Sequence, residues 1–307
     1  MIGLIFISKE IVEDFSKFRL DNLNFIILGL GFFALLIVWF SKAYRIYAIA
    51  QGMGEKIELR HCFQIYLATC FVSHITPFNA GGTPLQIYLL HKKGIGIGKA
   101  TAVTTIDLGL HSIIYLILLI GTVSINLSFL KQQGLFDREL LWKGLITTII
   151  FMALVGLLLF LLRLNWTKKI SSIVAKKGWL KRIRQEFSLF KESSMLLIKS
   201  NWTAMFKAVL ASIVYWFFYL LLAPLIILAM GKTVEIFALI YRQLVFNVIQ
   251  PLIPTPGGSG GSEVILSYLF RGLTGTQGLG LFVFIWRIYT FFSSLLVGGF
   301  YFWRITR

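Results

Sequence analysis

Long apolar stretches alternate with short polar ones along this chain. About 20 consecutive apolar residues let a helix cross the hydrocarbon core of a membrane. Asn24–Phe40, Ala100–Leu127, Leu141–Leu162, Thr203–Met230 and Leu279–Trp303 read as full spans. Two other stretches, Cys62–Ile75 and Ile236–Ile253, run instead into breaks rich in Gly, Pro and Thr. A short apolar piece follows each break, Pro84–Leu90 and Glu263–Phe270. Such a piece rises only about 12 Å as a helix, against a core of about 30 Å. Each pair therefore reads as a re-entrant hairpin with its tip inside the membrane. At the N-terminus, Ile11, Val12, Phe15 and Phe18 recur at helical spacing between charged residues. That pattern fits an interfacial amphipathic helix, and no basic leader with a cleavage site precedes it.

The two breaks resemble each other. His74-Ile-Thr-Pro-Phe-Asn-Ala-Gly-Gly-Thr83 matches Ile253-Pro-Thr-Pro-Gly-Gly-Ser-Gly-Gly-Ser262 under a shift of 179 residues (76 to 255). Thr76-Pro77 then falls on Thr255-Pro256, and Gly81-Gly82 on Gly260-Gly261. Broken helices at matching positions of two halves point to an inverted-repeat transporter. The expected fold is an all-α polytopic membrane protein. It has about five full spans and two oppositely oriented re-entrant hairpins. Residues 1–22 form the interfacial segment, and 23–163 the first repeat with its hairpin at 61–91. A basic cytoplasmic loop occupies 164–201, and 202–307 form the second repeat with its hairpin at 235–271.

Composition excludes whole classes. Of 307 residues, 57% are hydrophobic and only 14% charged, too few for an ordinary soluble domain. The net charge of +17 therefore belongs beside a bilayer rather than on a nucleic-acid surface. Arg163–Lys199 holds ten basic residues and two acidic ones, which places it in the cytoplasm. Its interleaved Trp166, Ile170, Ile173, Val174, Trp179, Leu180 and Ile183 fit amphipathic helices on an anionic inner leaflet. Counting spans outward from it puts Lys42–Arg60, His91–Lys99 and the C-terminus inside, and the N-terminus outside. Nineteen of the 30 basic residues then lie in cytoplasmic loops, which orients the two hairpins from opposite faces. Cys62 and Cys70 have no metal or disulfide spacing and read as small buried side chains.

Non-helical backbone at membrane depth is tolerated only around protein or a water-filled cavity. Glycine lets such backbone turn and approach a ligand, and proline starts or ends a short helix. Thr76, Asn79, Gly81, Gly82, Thr83 and Gln86 of the first tip therefore become candidate lipid-binding residues. So do Thr255, Gly257, Gly258, Gly260, Gly261 and Ser262 of the second. The half-helix N-termini at Thr83–Gln86 and Ser262–Val264 favour an anionic group such as phosphate. Close helix packing is the other use of such glycines. Charges inside spans are costly and face cavities or partners. Arg287, too deep to snorkel, is the leading phosphate ligand, with Arg242 and Asn247 lining the same cavity. His74, Asp107, His111 and Glu263 are candidate proton or countercharge groups. Asp107 and His111 share a helix face, and Glu263 can favour its helix N-terminus, pair with Arg287 or bind a cation. A structural ion pair or a satisfied core histidine is the alternative for each. No phosphate loop, paired-histidine helix or nucleophile elbow occurs, so neither an enzyme nor a metal or cofactor is expected.

These motifs carry a resemblance. Thr76-Pro-Phe-Asn-Ala-Gly-Gly-Thr-Pro-Leu-Gln-Ile-Tyr-Leu-Leu90, Asp107, and Pro254-Thr-Pro-Gly-Gly-Ser-Gly-Gly-Ser-Glu263 with Arg287 look like the transmembrane family of lysylphosphatidylglycerol synthase/flippase proteins. The likeness runs from about Phe25 to Trp303. It implies a polytopic protein of the bacterial inner membrane that moves lipids between leaflets. Larger relatives add a cytosolic aminoacyl-transferase domain, which is not expected in a chain ending at Arg307. Many relatives carry Arg directly after the matched Asp, where Leu108 stands. The expected function is a lipid translocase that does not use ATP, working through a midplane site at the two tips. Its partners are membrane lipids, an anionic phospholipid foremost, with self-association open and nucleic acid excluded. The alternative is an ion- or proton-coupled transporter of a small anion.

Overall fold

The computed structural model describes residues 23–125, 190, 201–274 and 278–307. The expected span Leu141–Leu162, the N-terminal segment 1–22 and, apart from Phe190, the basic segment Arg163–Lys199 lie outside the described residues. Every regular element among the described residues is helical. In chain order they are α1 (Phe25–Gly52), α2 (Leu59–Ile75), α3 (Gly82–Lys92), α4 (Ile97–Ile125), α5 (Trp202–Ala229), α6 (Ile236–Ile249), α7 (Gly261–Thr274) and α8 (Leu279–Thr306). Helices α1, α4, α5 and α8 are long and apolar enough to cross a membrane. Their exteriors are oily, with Ile26 78% and Leu296 73% exposed, as surfaces facing lipid require.

One expectation is corrected here. The sequence reading ends the first span at Phe40 and leaves Lys42 and Arg45 in a cytoplasmic loop. Helix α1 instead continues to Gly52, because Ile46, Ala48, Ile49 and Ala50 keep an apolar face that is buried to 3% exposure or less. Lys42 and Arg45 therefore stand on a helix inside the molecule. The helix gives way to Gly54, whose positive φ of 77° ends it.

Helices α1 and α5 form an antiparallel pair pinned at both ends. The Asn24 amide donates to the Ala229 carbonyl at 2.8 Å, joining the start of α1 to the end of α5. At the other end the Asn201 side-chain amide donates to the Gly52 carbonyl at 3.3 Å. Both asparagines also cap their own helices, Asn24 accepting from Ile26 and Ile27 and Asn201 from Ala204. Helix α8 packs on α2 through Gly298, where a Cβ would stand 2.3 Å from the Leu67 carbonyl. Small residues permit such close approach between membrane helices.

The internal repeat is visible in the backbone. Under the shift of 179 residues, the 3₁₀ turn Pro77–Asn79 falls on the 3₁₀ turn Pro256–Gly258. The start of α3 at Gly82 falls on the start of α7 at Gly261. Helix α1 falls on α5, and α4 on α8, to within a few residues. Even the turn dihedrals agree: Phe78 has φ 55° and ψ 18°, and its counterpart Gly257 has φ 60° and ψ 14°.

Candidate functional site

Each break begins the same way. Thr76 and Thr255 precede a proline, which forces extended backbone, with ψ of 144° and 150°. The Thr76 hydroxyl donates to the Val72 carbonyl at 2.8 Å and accepts from the Gly81 amide at 3.0 Å, closing the first tip. The Thr255 hydroxyl donates to the Ser259 carbonyl at 2.8 Å and closes the second. The returning helix then packs on the entering one. A Cβ on Gly82 would lie 2.0 Å from the Ser73 hydroxyl, and one on Gly261 would lie 2.7 Å from Ile253.

The two tips touch. A Cβ on Gly257 would stand 3.0 Å from the His74 carbonyl and 2.1 Å from the Phe291 ring. Phe291 belongs to a π-bulge, Ile288–Phe292, that interrupts α8. The bulge sets this ring under the Arg287 guanidinium at 4.1 Å, with the His74 ring 5.0 Å from it. His74 Nε2 also meets the Ser294 hydroxyl at 2.8 Å. Several residues keep a free side: Pro77, Ala80 and Thr83 at the first tip and Thr255, Pro256 and Ser259 at the second are exposed.

Arg287 and Glu263 form one charge centre. Their side chains pair at 2.9 Å, and Arg287 also donates to the Gly257 carbonyl at 3.2 Å and the Ser259 hydroxyl at 3.4 Å. The other Glu263 oxygen accepts from the Gly260 amide at 2.7 Å, capping α7. Of the roles open to these two residues, the geometry displays the ion pair and the cap. The positive end of α7 already has its carboxylate, whereas α3 has neither an acidic residue in its first turn nor a side-chain cap.

The second centre surrounds Asp107. Its carboxylate takes Lys42 at 2.7 Å and Arg45 at 2.6 Å, with the Gln86 amide at 3.5 Å. Gln86 lies on α3, so this centre adjoins the first tip. Arg45 is fully buried, donates to the Ser212 hydroxyl at 3.0 Å, and has its Nη2 without a partner. Two cations against one carboxylate leave one net positive charge in an apolar interior, an arrangement complementary to an anion. His111, one turn beyond Asp107, stacks on Trp216 at 4.8 Å. Sequence reasoning missed Lys42 and Arg45; the continuing apolar face of α1 was the signal that places them.

The remaining candidates stand apart. Asn247 accepts from the Tyr219 hydroxyl at 3.1 Å and donates to the Gln243 carbonyl at 2.7 Å, within the α5–α6 packing. Arg242 is 3% exposed with Nε and Nη1 unpartnered, and no hydrogen bond among the described residues joins it to either tip. Ser262 and Asn79 each bury an oxygen without a partner at the tips.

A UPF0104 membrane protein of Archaeoglobus fulgidus is 24% identical over 313 residues, covering 97% of this chain and 94% of that protein. No solved structure matches. The family model described as the lysylphosphatidylglycerol synthase TM region matches residues 3–298, a range that takes in both tips and both charge centres. The chain belongs to that membrane-protein family.

Proposed function

We propose that this protein is a lipid translocase, a carrier rather than an enzyme, that moves an anionic phospholipid head group between leaflets without ATP. One observation carries the reading: two broken helices related by the repeat touch at their tips, beside a buried cluster with one net positive charge. A lipid phosphate needs fixed donors and positive potential on its way through a low-dielectric layer. Lys42, Arg45 and the uncapped start of α3 at Thr83 supply both. Arg287 holds the second tip in shape through Glu263 and Gly257, so its contribution is positioning. The charge pattern supports a cytoplasmic membrane as its place, with its C-terminus inside.

The test is reconstitution in liposomes with a fluorescent phosphatidylglycerol and a membrane-impermeant quencher. The protein is expected to speed transbilayer movement, and Arg45→Gln to slow it about tenfold or more, the effect of losing one charged contact. Arg287→Ala is expected to slow it by loosening the tip. If the protein neither moves nor binds anionic phospholipid, and Arg287→Ala changes nothing, the reading fails. A small soluble anion would suit the same positive cluster; its uptake driven by a proton gradient, with no lipid movement, would establish that second reading instead.

A further inference from the structure

Away from the tips, three segments far apart in sequence converge on one cleft of about 350 Å³. Arg60, His61 and Gln64 come from the first turns of α2, Lys92 and Lys93 from the end of α3, and Arg304 from the end of α8. The charge pattern assigns this face to the cytoplasm. Charge that only orients spans works wherever it lies in a loop. Convergence from three helix ends into a concavity is a stronger condition, and the volume is that of a small ligand site.

The cations are held in different ways. Arg60 is paired with Glu58, and the Lys92 ammonium donates to the Ile305 carbonyl at 2.8 Å, fastening the end of α3 to the end of α8. Lys93 and Arg304 have no carboxylate partner among the described residues. Burial, and then the Lys93 charge, hold the His61 imidazole below its ordinary pKa. The flanks are those of a membrane–water boundary. Tyr88, one turn before Lys92 on α3, is 55% exposed, and Trp303, beside Arg304, is 51% exposed with the Arg307 guanidinium over its ring at 4.1 Å.

We propose that this cleft binds the phosphate-bearing head group of an anionic lipid from the adjoining leaflet, with Lys93 and Arg304 as the phosphate ligands. Its position gives the site a use. Helix α3 has 11 residues, so about 16 Å of one rigid element separates the cleft from the first tip. A head group gathered here would lie at the opposite end of α3 from the first tip.

The experiment uses the full chain in phosphatidylcholine nanodiscs, titrated with short-chain phosphatidylglycerol, short-chain phosphatidylcholine or inorganic phosphate and read by calorimetry. The lipid class rests on the translocase reading, and the cleft variants separate the two: lipid movement intact while Lys93→Gln with Arg304→Gln leaves binding unchanged fails this proposal alone. The phosphatidylglycerol is expected to bind. Lys93→Gln with Arg304→Gln is expected to weaken it about tenfold. Lys93→Arg with Arg304→Lys is expected to retain it, and so keeps the test valid should the neutral variant fold poorly. Lys56→Gln, at an exposed site outside the cleft, is expected to leave binding unchanged. Equal weakening by Lys56→Gln, equal binding of phosphatidylcholine, or inorganic phosphate binding as tightly as the lipid would each overturn the proposal.

Discussion

Asp107 is the residue on which most of the interior electrostatics turns. A buried carboxylate with two cations is asymmetric: removing the carboxylate strands two charges, whereas removing Lys42 leaves a neutral Arg45–Asp107 pair. Breaking a buried pair by deleting one partner costs roughly 3–5 kcal/mol. Asp107→Asn is therefore expected to lower the unfolding midpoint in detergent markedly, and Lys42→Gln much less. Equal losses would mean that removing Lys42, 12% exposed, costs as much as stranding both cations. The sequence places Asp107 inside a span and marks it as a residue needing a partner. It does not say which, because Lys42 and Arg45 lie 65 and 62 positions away and sit beyond a plausible span end. Glu263 and Arg287 were easier: Glu263 directly follows the second break, and Arg287 stands out as a charge deep inside an apolar span.

At the scale of an element, the two breaks were legible because Pro and paired Gly cluster there; Pro alone does not end a helix, since Pro224 sits inside α5. The π-bulge after Arg287 was not, since no local signal marks it; only the structure shows it, with Phe291 packed against Gly257 of the second tip. The matched turns differ in one residue that physics can separate. Gly257 adopts positive φ freely, while Phe78 adopts it at a cost of roughly 1–2 kcal/mol for a side-chain-bearing residue. Gly257→Ala adds that cost and drives a methyl into Phe291, so stability and translocation should fall together. Phe78→Gly should do the opposite to stability. Its ring is 53% exposed, so little packing is lost and the unfolding midpoint should hold or rise. Translocation should nevertheless drop, because an exposed ring at the tip is placed to touch lipid. A fall in midpoint would show that the ring holds the tip together instead.

At the scale of the whole molecule, the net charge of +17 resolves into two populations. Most of it lies in polar segments of the sequence, while Lys42, Arg45, Arg242 and Arg287 are buried or nearly so. The repeat gives those inner charges a setting that can serve both faces. Two halves related by inverted topology have one interface, and rocking one half against the other opens it to each side in turn. Ala80 and Ser259 occupy equivalent positions under the shift of 179 residues, and both are exposed at the tips. Cys62 and Cys70 are free thiols, so replacing both with Ala gives a background for single cysteines. Ala80→Cys and Ser259→Cys would then be treated with an impermeant maleimide from either side of sealed vesicles. Alternating access requires each position to be labelled from both sides, since neither tip belongs permanently to one face. Anionic lipid that binds one state better must shift the two labelling rates in a correlated way, by no more than its differential affinity allows. If each cysteine reacts from one side only, with and without lipid, the two halves do not rock, and the tips form a fixed plug around an immobile ion-pair network.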